Sequence, residues 1–246
     1  MKNIAKYFGE KIDGKRIVIT GGTTGIGKAT AELLASLGGH VFIFGRDQDD
    51  FHQAIHDIKK VAEGKVYGVT ADITRKEDID LIWNEINYTL GGVDILINNA
   101  ALPGNGIIDE EYENIRYIVE TNILGYISFT KEAVARKPEH IINIGSMSAD
   151  TREETGTIYV ATKSAIRGFT AALRKEINEK GIKVTLIEPG AVSSDLQPAK
   201  QEHKEKIENM EMLEAEDIAM NILFALSQPK RCDIVSIQVR PHLQII

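Results

Sequence analysis

Runs of β-branched and other apolar residues recur along the chain, separated by longer stretches of mixed polarity. Most of these runs are almost continuous in valine, isoleucine and leucine, the pattern of parallel strands buried on both faces. They predict strands RIVIT at 16–20, HVFIFG at 40–45, KVYGVTA at 65–71, VDILIN at 93–98, HIINIG at 140–145, KVTLIE at 183–188 and DIVSIQV at 233–239.

The stretches between these runs have apolar residues at helical spacing. After the first strand, Ile26, Ala29, Leu33 and Leu37 share one helix face. Strands alternating with helices predict right-handed βαβ units. We therefore expect an α/β fold, a doubly wound, Rossmann-type parallel sheet flanked by helices on both faces. No linker or repeat divides the chain, which predicts one domain over 1–246, and the polar segment 193–212 predicts a mobile loop with a short helix.

Composition and charge narrow the class of protein. The net charge of -7 argues against nucleic acid and anionic membranes as partners, since both attract a basic face. The longest apolar runs fall short of the roughly 18 residues that span a membrane, and the N-terminal segment lacks the apolar region of a secretory signal. One cysteine, Cys232, excludes an internal disulfide framework, and the six histidines show no metal-ligand spacing. We expect a cytoplasmic protein without a metal.

A glycine-rich turn, TGGTTGIG at 20–27, joins the first strand to the first helix. Glycines in such a turn let a pyrophosphate approach the backbone, and the helix N-terminus supplies N–H groups for the phosphates. The spacing is not the commonest dinucleotide fingerprint, and the turn lacks the Lys-Ser/Thr ending of a triphosphate loop. The predicted cofactor contacts here are Gly21, Thr23, Thr24, Gly25, Ile26 and Gly27.

The end of the second strand bears on which nicotinamide cofactor is used. An NAD site usually has an acidic residue there, whereas the extra phosphate of NADP favours a cation. Here Gly45 is followed by Arg46, whose guanidinium can form charge-assisted bonds with a phosphate. The alternative is that Arg46 pairs with the aspartates at 47, 49 and 50. The sequence favours NADP(H) and leaves NAD(H) open.

Polar or small residues also follow the third and fourth strands. Asp72, in the motif ADI with Ile73, could accept the adenine amino group. In NNAA at 98–101, we expect Asn98 to hold adjacent backbones, Ala100 to leave space for the adenosine ribose, and Asn99 and Ala100 to contact the cofactor. Ligands of open α/β sheets bind at the carboxyl ends of strands, which is where these residues fall.

The chain resembles the short-chain dehydrogenase/reductase family in its single-domain form. The resemblance covers about residues 14–239 and rests on TGGTTGIG, ADI, NNAA, TNILG, GSMSA, YVATK and PGAV in the family's order and spacing. Three residues depart from the family's pattern. Ala101 replaces a glycine, Thr24 stands where some NADP-using members have a basic residue, and Ser194 replaces a threonine.

The resemblance implies a catalytic set. Tyr159 would be the general acid and base, and Lys163 would activate it and hold the nicotinamide ribose. Ser146 would bind the substrate oxygen, and Asn122 would position a water of a proton relay. An ammonium at about 4 Å could lower a tyrosine pKa by up to roughly three units, against the opposite effect of burial, so we expect Tyr159 to titrate nearer neutrality.

The resemblance also implies further contacts and a homodimer or homotetramer. In EPGAV, Pro189 and Gly190 would shape the turn over the nicotinamide, Val192 would bind the carboxamide and Ser194 would approach the phosphates. The predicted function is an NADP(H)-dependent oxidoreductase acting on a carbonyl or secondary alcohol. The alternative is a catalytically silent dinucleotide-binding regulatory or scaffold protein. Substrate walls are expected from 102–105, 147–154 and 193–212.

Overall fold

A computed structural model describes residues 11–104, 106–108, 110–193 and 200–244. Its strands form one parallel sheet in the order β3-β2-β1-β4-β5-β6-β7. The strands are β1 Arg16–Thr20, β2 His40–Gly45, β3 Val66–Thr70, β4 Ile95–Asn98, β5 His140–Ile144, β6 Lys183–Pro189 and β7 Ser236–Val239.

Helices follow the strands as the alternating pattern predicts. They are α1 Gly25–Ser36, α2 Gln48–Val61, α3 Lys76–Thr89, α4 Tyr112–Val119, α5 Gly125–Ala135, α6 Ser148–Thr151, α7 Thr157–Ile177, α8 Lys200–Glu208 and α9 Ala215–Leu226. A π-helical segment, Glu120–Leu124, joins α4 to α5, and a 3-10 turn, Asn178–Lys180, follows α7. In the part of the chain that the structure describes, no helix is long and apolar enough to cross a membrane.

Each face of the sheet is covered by its own apolar layer. Successive residues of β1 point to opposite faces, so Ile17 and Ile19 pack with α1, α2 and α9, whereas Val18 packs with α3, α5 and α7. Complete burial of an isoleucine side chain contributes roughly 1.5–3 kcal/mol, so these two layers are the main stabilisation of the fold. The predicted doubly wound fold is confirmed.

The strand ends differ slightly from the sequence prediction. The fourth strand begins at Ile95 and the seventh at Ser236, later than the apolar runs that predicted them. At the seventh strand the residue pairing with β6 begins at Ser236, and before it a single backbone hydrogen bond joins the Leu186 N–H to the Val235 carbonyl at 3.1 Å. In segment 193–212, the predicted short helix is α8, whereas residues 194–199 lie outside the described residues.

The strand order reverses between β1 and β4, which are neighbours in the sheet. From β1 the chain builds outward to β2 and β3, and from β4 it builds outward in the other direction. The loops at the carboxyl ends of β1 and β4 therefore diverge, and a crevice opens between them. The candidate site lies at this edge.

Candidate active site

A cavity of about 640 Å³ runs along the carboxyl ends of the strands. The sequence-predicted residues that line it are Gly21, Thr23, Thr24, Gly25, Ile26, Arg46, Asp72, Ile73, Asn99, Ala100, Ser146, Tyr159, Lys163, Pro189, Gly190 and Val192. Gly27 and Asn122 lie behind the lining and support it, as described below. Ser194 falls outside the described residues.

The glycine turn is folded so tightly that its backbone borders the cavity. Gly21 has a φ of +61°, and a Cβ at Gly27 would lie 2.2 Å from the Gly21 carbonyl oxygen. Asn99 Nδ2 donates to that same oxygen at 2.9 Å and to the Thr20 carbonyl at 3.1 Å. Helix α1 begins at Gly25, so its N-terminal backbone N–H groups, which have no partner within a helix, lie at the cavity.

Asn98 has a different role from the one expected. Its Nδ2 donates to Asn143 Oδ1 at 2.8 Å and to Thr130 Oγ1 at 3.0 Å, so it joins β4 to β5 and α5 through side chains. We expected Asn98 to hold adjacent backbones, and this was wrong. The cause is the alternation of side chains along β4: Asn98 points into the buried layer, and the next residue, Asn99, reaches the backbone of the glycine turn.

Gly45 provides space for Thr23. A Cβ at Gly45 would lie 2.5 Å from Thr23 Oγ1, so any side chain at this position would force the Thr23 side chain to move. Asp47, two residues on, caps α2 by accepting from the backbone N–H groups of Asp49 and Asp50, each at 2.9 Å. The carboxylate of Asp47 is therefore directed to the start of α2.

Arg46 contacts a tyrosine that the sequence analysis did not single out. The guanidinium donates to Tyr117 Oη at 2.9 Å and lies 5.4 Å from the centre of its ring. Tyr117 Oη in turn donates to Asp72 Oδ2 at 2.6 Å. Tyr117 lies on α4, and its side chain reaches the ends of β2 and β3 only through tertiary packing, so no local spacing in the sequence indicates it.

The Asp72 carboxylate is held by hydrogen bonds from two residues. Thr74 donates to Oδ1 through its backbone N–H at 2.9 Å and its hydroxyl at 2.8 Å, and Tyr117 donates to Oδ2. Burial alone would raise the pKa of Asp72, but these hydrogen bonds outweigh it and lower the pKa below its ordinary value. Asp72 is therefore a fixed, ionised acceptor at the cavity wall.

Ser146, Tyr159 and Lys163 meet at one end of the cavity. Ser146 follows β5, and the other two lie one turn apart on α7. Lys163 Nζ donates to the Ile144 carbonyl at 2.9 Å and lies 5.6 Å from the centre of the Tyr159 ring. Ser146 Oγ donates to Ser148 Oγ at 3.1 Å, and Ser148 Oγ donates to Glu153 Oε1 at 3.3 Å.

The pKa values of Tyr159 and Lys163 shift in directions that differ from the expectation. Burial raises the pKa of Tyr159 above its ordinary value of 10.0, the Ser146 hydroxyl opposes this rise, and the Glu153 carboxylate adds to it. Burial lowers the pKa of Lys163 from 10.5 to about 7. The expectation that Lys163 moves the pKa of Tyr159 towards neutrality was wrong for this structure, because burial disfavours the charged form of each group.

Asn122 lies in the π-helical segment between α4 and α5 and is completely buried. Its Oδ1 accepts from the Leu102 N–H at 2.7 Å, and its Nδ2 donates to the Leu102 carbonyl at 2.9 Å and to Thr162 Oγ1 at 3.1 Å. Asn122 thus fastens the loop after β4 to α7, next to Lys163. Widened π-helical turns are often found at functional sites.

The turn after β6 closes one side of the cavity. Gly190 and Val192 line it, and Leu213 pairs with this turn by donating its N–H to the Ala191 carbonyl at 2.9 Å. Gln244 also lines the cavity and accepts from the Ala191 N–H at 3.2 Å. The sequence analysis missed Gln244, since no motif links a C-terminal glutamine to a turn so far away in the chain.

The end of the cavity near Tyr159 has mixed walls. Leu102, Pro103 and Met147 are apolar, whereas Ser148, Glu153 and Thr155 are polar, with Gly104 and Gly156 between them. The predicted wall 102–105 contributes Leu102, Pro103 and Gly104, with Asn105 outside the described residues, and the predicted wall 147–154 contributes Met147, Ser148 and Glu153. The predicted wall 193–212 does not line the cavity in its described residues, Ser193 and 200–212. Arg46 lies at the opposite end, after β2.

Comparisons with known proteins identify the family. The short chain dehydrogenase family model matches residues 15–205. An uncharacterized oxidoreductase from Staphylococcus aureus strain MRSA252 is 35% identical over 232 residues, which are 92% of this chain and 97% of the relative. The chain therefore belongs to the short-chain dehydrogenase/reductase family of oxidoreductases, which act on small molecules.

Solved structures share the fold. A 3-ketoacyl-(acyl-carrier-protein) reductase from Brucella melitensis, complexed with NADH, is 26% identical with a TM-score of 0.84, covering 95% of this chain and 100% of that one. A short chain dehydrogenase from Burkholderia cenocepacia, in complex with NADP, is 24% identical with a TM-score of 0.83, covering 94% and 98%. The two neighbours hold different nicotinamide cofactors.

Proposed function

We propose that this protein is an NADP(H)-preferring oxidoreductase that interconverts a carbonyl and a secondary alcohol. One observation carries the proposal: the glycine turn and the group Ser146, Tyr159 and Lys163 line the same cavity. A dinucleotide along the strand ends would place its reactive ring beside the group that must supply or accept a proton.

The residues present fit a dinucleotide. The close packing at Gly21 and Gly27 leaves bare backbone at the cavity, and the N-terminus of α1 there favours an anion. The bound nicotinamide would supply or accept the hydride. The residues that would hold the cofactor are Gly21, Thr23, Thr24, Gly25, Ile26, Arg46, Asp72, Ile73, Asn99, Ala100, Tyr159, Lys163, Pro189, Gly190, Val192 and Ser194.

The preference for NADP(H) rests on the end of β2. Arg46 is oriented by its hydrogen bond to Tyr117, and Gly45 has no side chain that could repel or replace a phosphate. Asp47 is occupied with capping α2. A charge-assisted hydrogen bond contributes about 1.5–3 kcal/mol, so one contact from Arg46 gives NADP(H) an advantage of roughly tenfold to 150-fold.

The proton chemistry follows from the protonation of the set. The raised pKa of Tyr159 keeps its phenol protonated at neutral pH, so Tyr159 can donate a proton to the oxygen of a carbonyl substrate as that oxygen becomes an alkoxide. Ser146 Oγ would donate to the same oxygen once it leaves Ser148.

Lys163 would then neutralise the phenolate left on Tyr159. Its pKa of about 7 means that it exchanges protons readily near neutral pH, and a phenolate beside it would favour its charged form. Asn122 would keep Lys163 in place by fastening Thr162 and Leu102. The same steps reversed would oxidise an alcohol, with Tyr159 as the base.

The test is a panel of ketones and aldehydes assayed with NADPH and NADH, together with direct binding of both cofactors followed by nicotinamide fluorescence. We expect at least one carbonyl compound to be reduced, with a higher kcat/KM for NADPH. Tight NADPH binding with no turnover across broad panels in both directions would favour a binding protein. Equal or better use of NADH would contradict the cofactor preference.

A further inference from the structure

Arg167 lies on α7 one turn beyond Lys163, on the same side of the helix as Tyr159. Its Nε donates to Glu188 Oε1 at 2.7 Å, and its Nη2 donates to Asp150 Oδ2 at 2.6 Å. A second contact joins Nη1 to Asp150 Oδ1, so the Asp150 carboxylate is held in a two-point pairing. Such paired geometry fixes orientation as well as distance.

Both acidic partners belong to segments that carry parts of the site. Asp150 lies on α6, which begins two residues after Ser146. Glu188 lies in β6, directly before Pro189, where the strand ends and the turn with Gly190 begins. One guanidinium therefore joins the segment after Ser146, the helix of Tyr159 and Lys163, and the turn that closes over the cavity. Gln238 Nε2 adds a contact from β7, to Glu188 Oε2 at 3.4 Å.

Burial of Glu188 makes its pairing with Arg167 costly to break. The Glu188 side chain is 4% exposed, whereas that of Arg167 is 30% exposed. A carboxylate this deep in the protein needs a partner that holds it by hydrogen bonds. Hydrogen bonds from Arg167 and Gln238 also lower the pKa of Asp150 to about 2, so its carboxylate stays charged over the whole working range of pH.

The net stabilisation from such a pair is small, because the loss of hydration offsets most of the attraction. The consequence of the two pairs is geometric: α6 cannot shift relative to α7 without breaking the Asp150 pair, and the β6 turn cannot shift without breaking the hydrogen bond from Arg167 to Glu188. Motion of about 1 Å between these segments would displace the Ser146 hydroxyl relative to the Tyr159 phenol, and misplacement of that size can lower the rate of an enzyme about 10²-fold.

We propose that Arg167 is a positioning residue, which keeps Ser146 and the Pro189–Gly190 turn in register with Tyr159 and Lys163. The proposal rests on the proposed function for its kinetic consequences. Its structural consequence is that the order of two segments, the one after Ser146 and the one around Pro189 and Gly190, depends on the Arg167 side chain. This can be tested without turnover.

The first experiment measures backbone hydrogen exchange in the full chain and in Arg167→Gln. Arg136→Gln is the matched control, since Arg136 pairs with Glu132 at 2.9 Å and lies over Trp83 without lining the cavity. We expect faster exchange in peptides covering 146–151 and 188–193 in the Arg167 variant alone. Unchanged exchange in both segments would overturn the proposal, whether or not the protein binds a nicotinamide cofactor.

The second experiment separates positioning from charge compensation. Glu188→Gln with Arg167→Gln removes the buried charge along with its partner, so we expect this double variant to regain most of the thermal stability that Arg167→Gln loses. We expect kcat to stay about tenfold or more below the wild type, with Arg167→Lys intermediate. Recovery of kcat in the double variant would overturn the proposal, because Arg167 would then only neutralise Glu188.

A third variant guards against a misfolded protein. Asp150→Asn weakens the more exposed of the two pairs that Arg167 forms, together with the contact from Gln238, and leaves the Glu188 pair in place, since the Asp150 side chain is 47% exposed. We expect this variant to fold, and its faster exchange to be confined to 146–151 with 188–193 unchanged. If exchange in both segments stayed as slow as in the wild type, the proposed role of the Arg167–Asp150 pair would be contradicted. A wild-type chain that binds NADPH without turnover would count against the proposed function alone.

Discussion

The Lys163 ammonium lies 5.6 Å from the centre of the Tyr159 ring, and its hydrogen bond goes to the Ile144 carbonyl at 2.9 Å. The lysine is thus anchored to the end of β5 and lies beside the Tyr159 ring, and its hydrogen bond does not occupy the Tyr159 hydroxyl. It is also 2% exposed, and burial lowers its pKa to about 7. A buried ionisable group beside a cavity, with a pKa shifted by burial, is typical of a functional site.

Replacement of Lys163 by methionine should stabilise the protein near neutral pH. The folded pKa of about 7 lies below the ordinary 10.5, and that difference corresponds to a penalty of up to about 5 kcal/mol. Loss of the hydrogen bond to Ile144 offsets about 1–3 kcal/mol of the gain. We expect a net gain of roughly 2–4 kcal/mol at pH 6–7, measured by urea unfolding.

The pH dependence provides the internal control. Between about pH 7 and 10.5 the unfolded chain binds more protons at Lys163 than the folded chain does, so the stability of the wild type rises with pH relative to the variant. The advantage of the methionine variant should therefore be full below about pH 7 and shrink as the pH rises. A constant difference from pH 6 to 9.5 would contradict a depressed pKa at Lys163.

Glu153 sets part of the acidity of Tyr159. Its carboxylate raises the pKa of the phenol by disfavouring the phenolate. Glu153→Gln removes that charge and retains an oxygen acceptor for Ser148, so the apparent pKa of Tyr159 should fall. We expect the pH profile of kcat/KM for alcohol oxidation to shift to lower pH, and the neighbouring Glu154→Gln to leave it in place. A shift of equal size in both variants would point to a general effect of surface charge.

The pairing of Arg46 with Tyr117 predicts how much each of the two residues contributes to the preference for NADPH. Arg46→Gln should raise the dissociation constant for NADPH by about tenfold to 150-fold and leave that for NADH nearly unchanged, since it removes a charge-assisted contact to a phosphate. Tyr117→Phe removes the hydrogen bonds that join Tyr117 to Arg46 and Asp72 but keeps the ring, so we expect the affinity for NADPH to fall about fivefold or less. Equal weakening of NADPH and NADH by Arg46→Gln would refute this distribution.

The sequence was sufficient to predict the architecture, because parallel strands buried on both faces produce apolar runs that can be recognised without tertiary information. It also predicted most of the cavity lining, since the ends of β1, β2, β3 and β4 must lie at one edge of the sheet. The ends of strands were less predictable. The apolar run before β7 extends beyond its paired portion, and pairing depends on the neighbouring strand.

The contacts that the sequence could not predict depend on tertiary packing. Tyr117 and Gln244 line the cavity, and Arg167 contacts the segments beside it, from elements whose neighbours are set by the packed fold. The protonation of Tyr159 and Lys163 was also out of reach, because it depends on how far each side chain is buried. Spacing alone shows that an ammonium lies near a phenol, whereas burial decides in which direction each pKa moves.

The most direct test of the central claim compares Tyr159→Phe with the wild type in a single assay of carbonyl reduction and NADPH binding. Phenylalanine keeps the ring and removes the proton that reduction requires. We predict that kcat falls by about 10²–10⁴, whereas the dissociation constant for NADPH changes by less than about tenfold, the most that loss of one neutral hydrogen bond typically costs. A variant that retained wild-type kcat would contradict the role of Tyr159 as the acid.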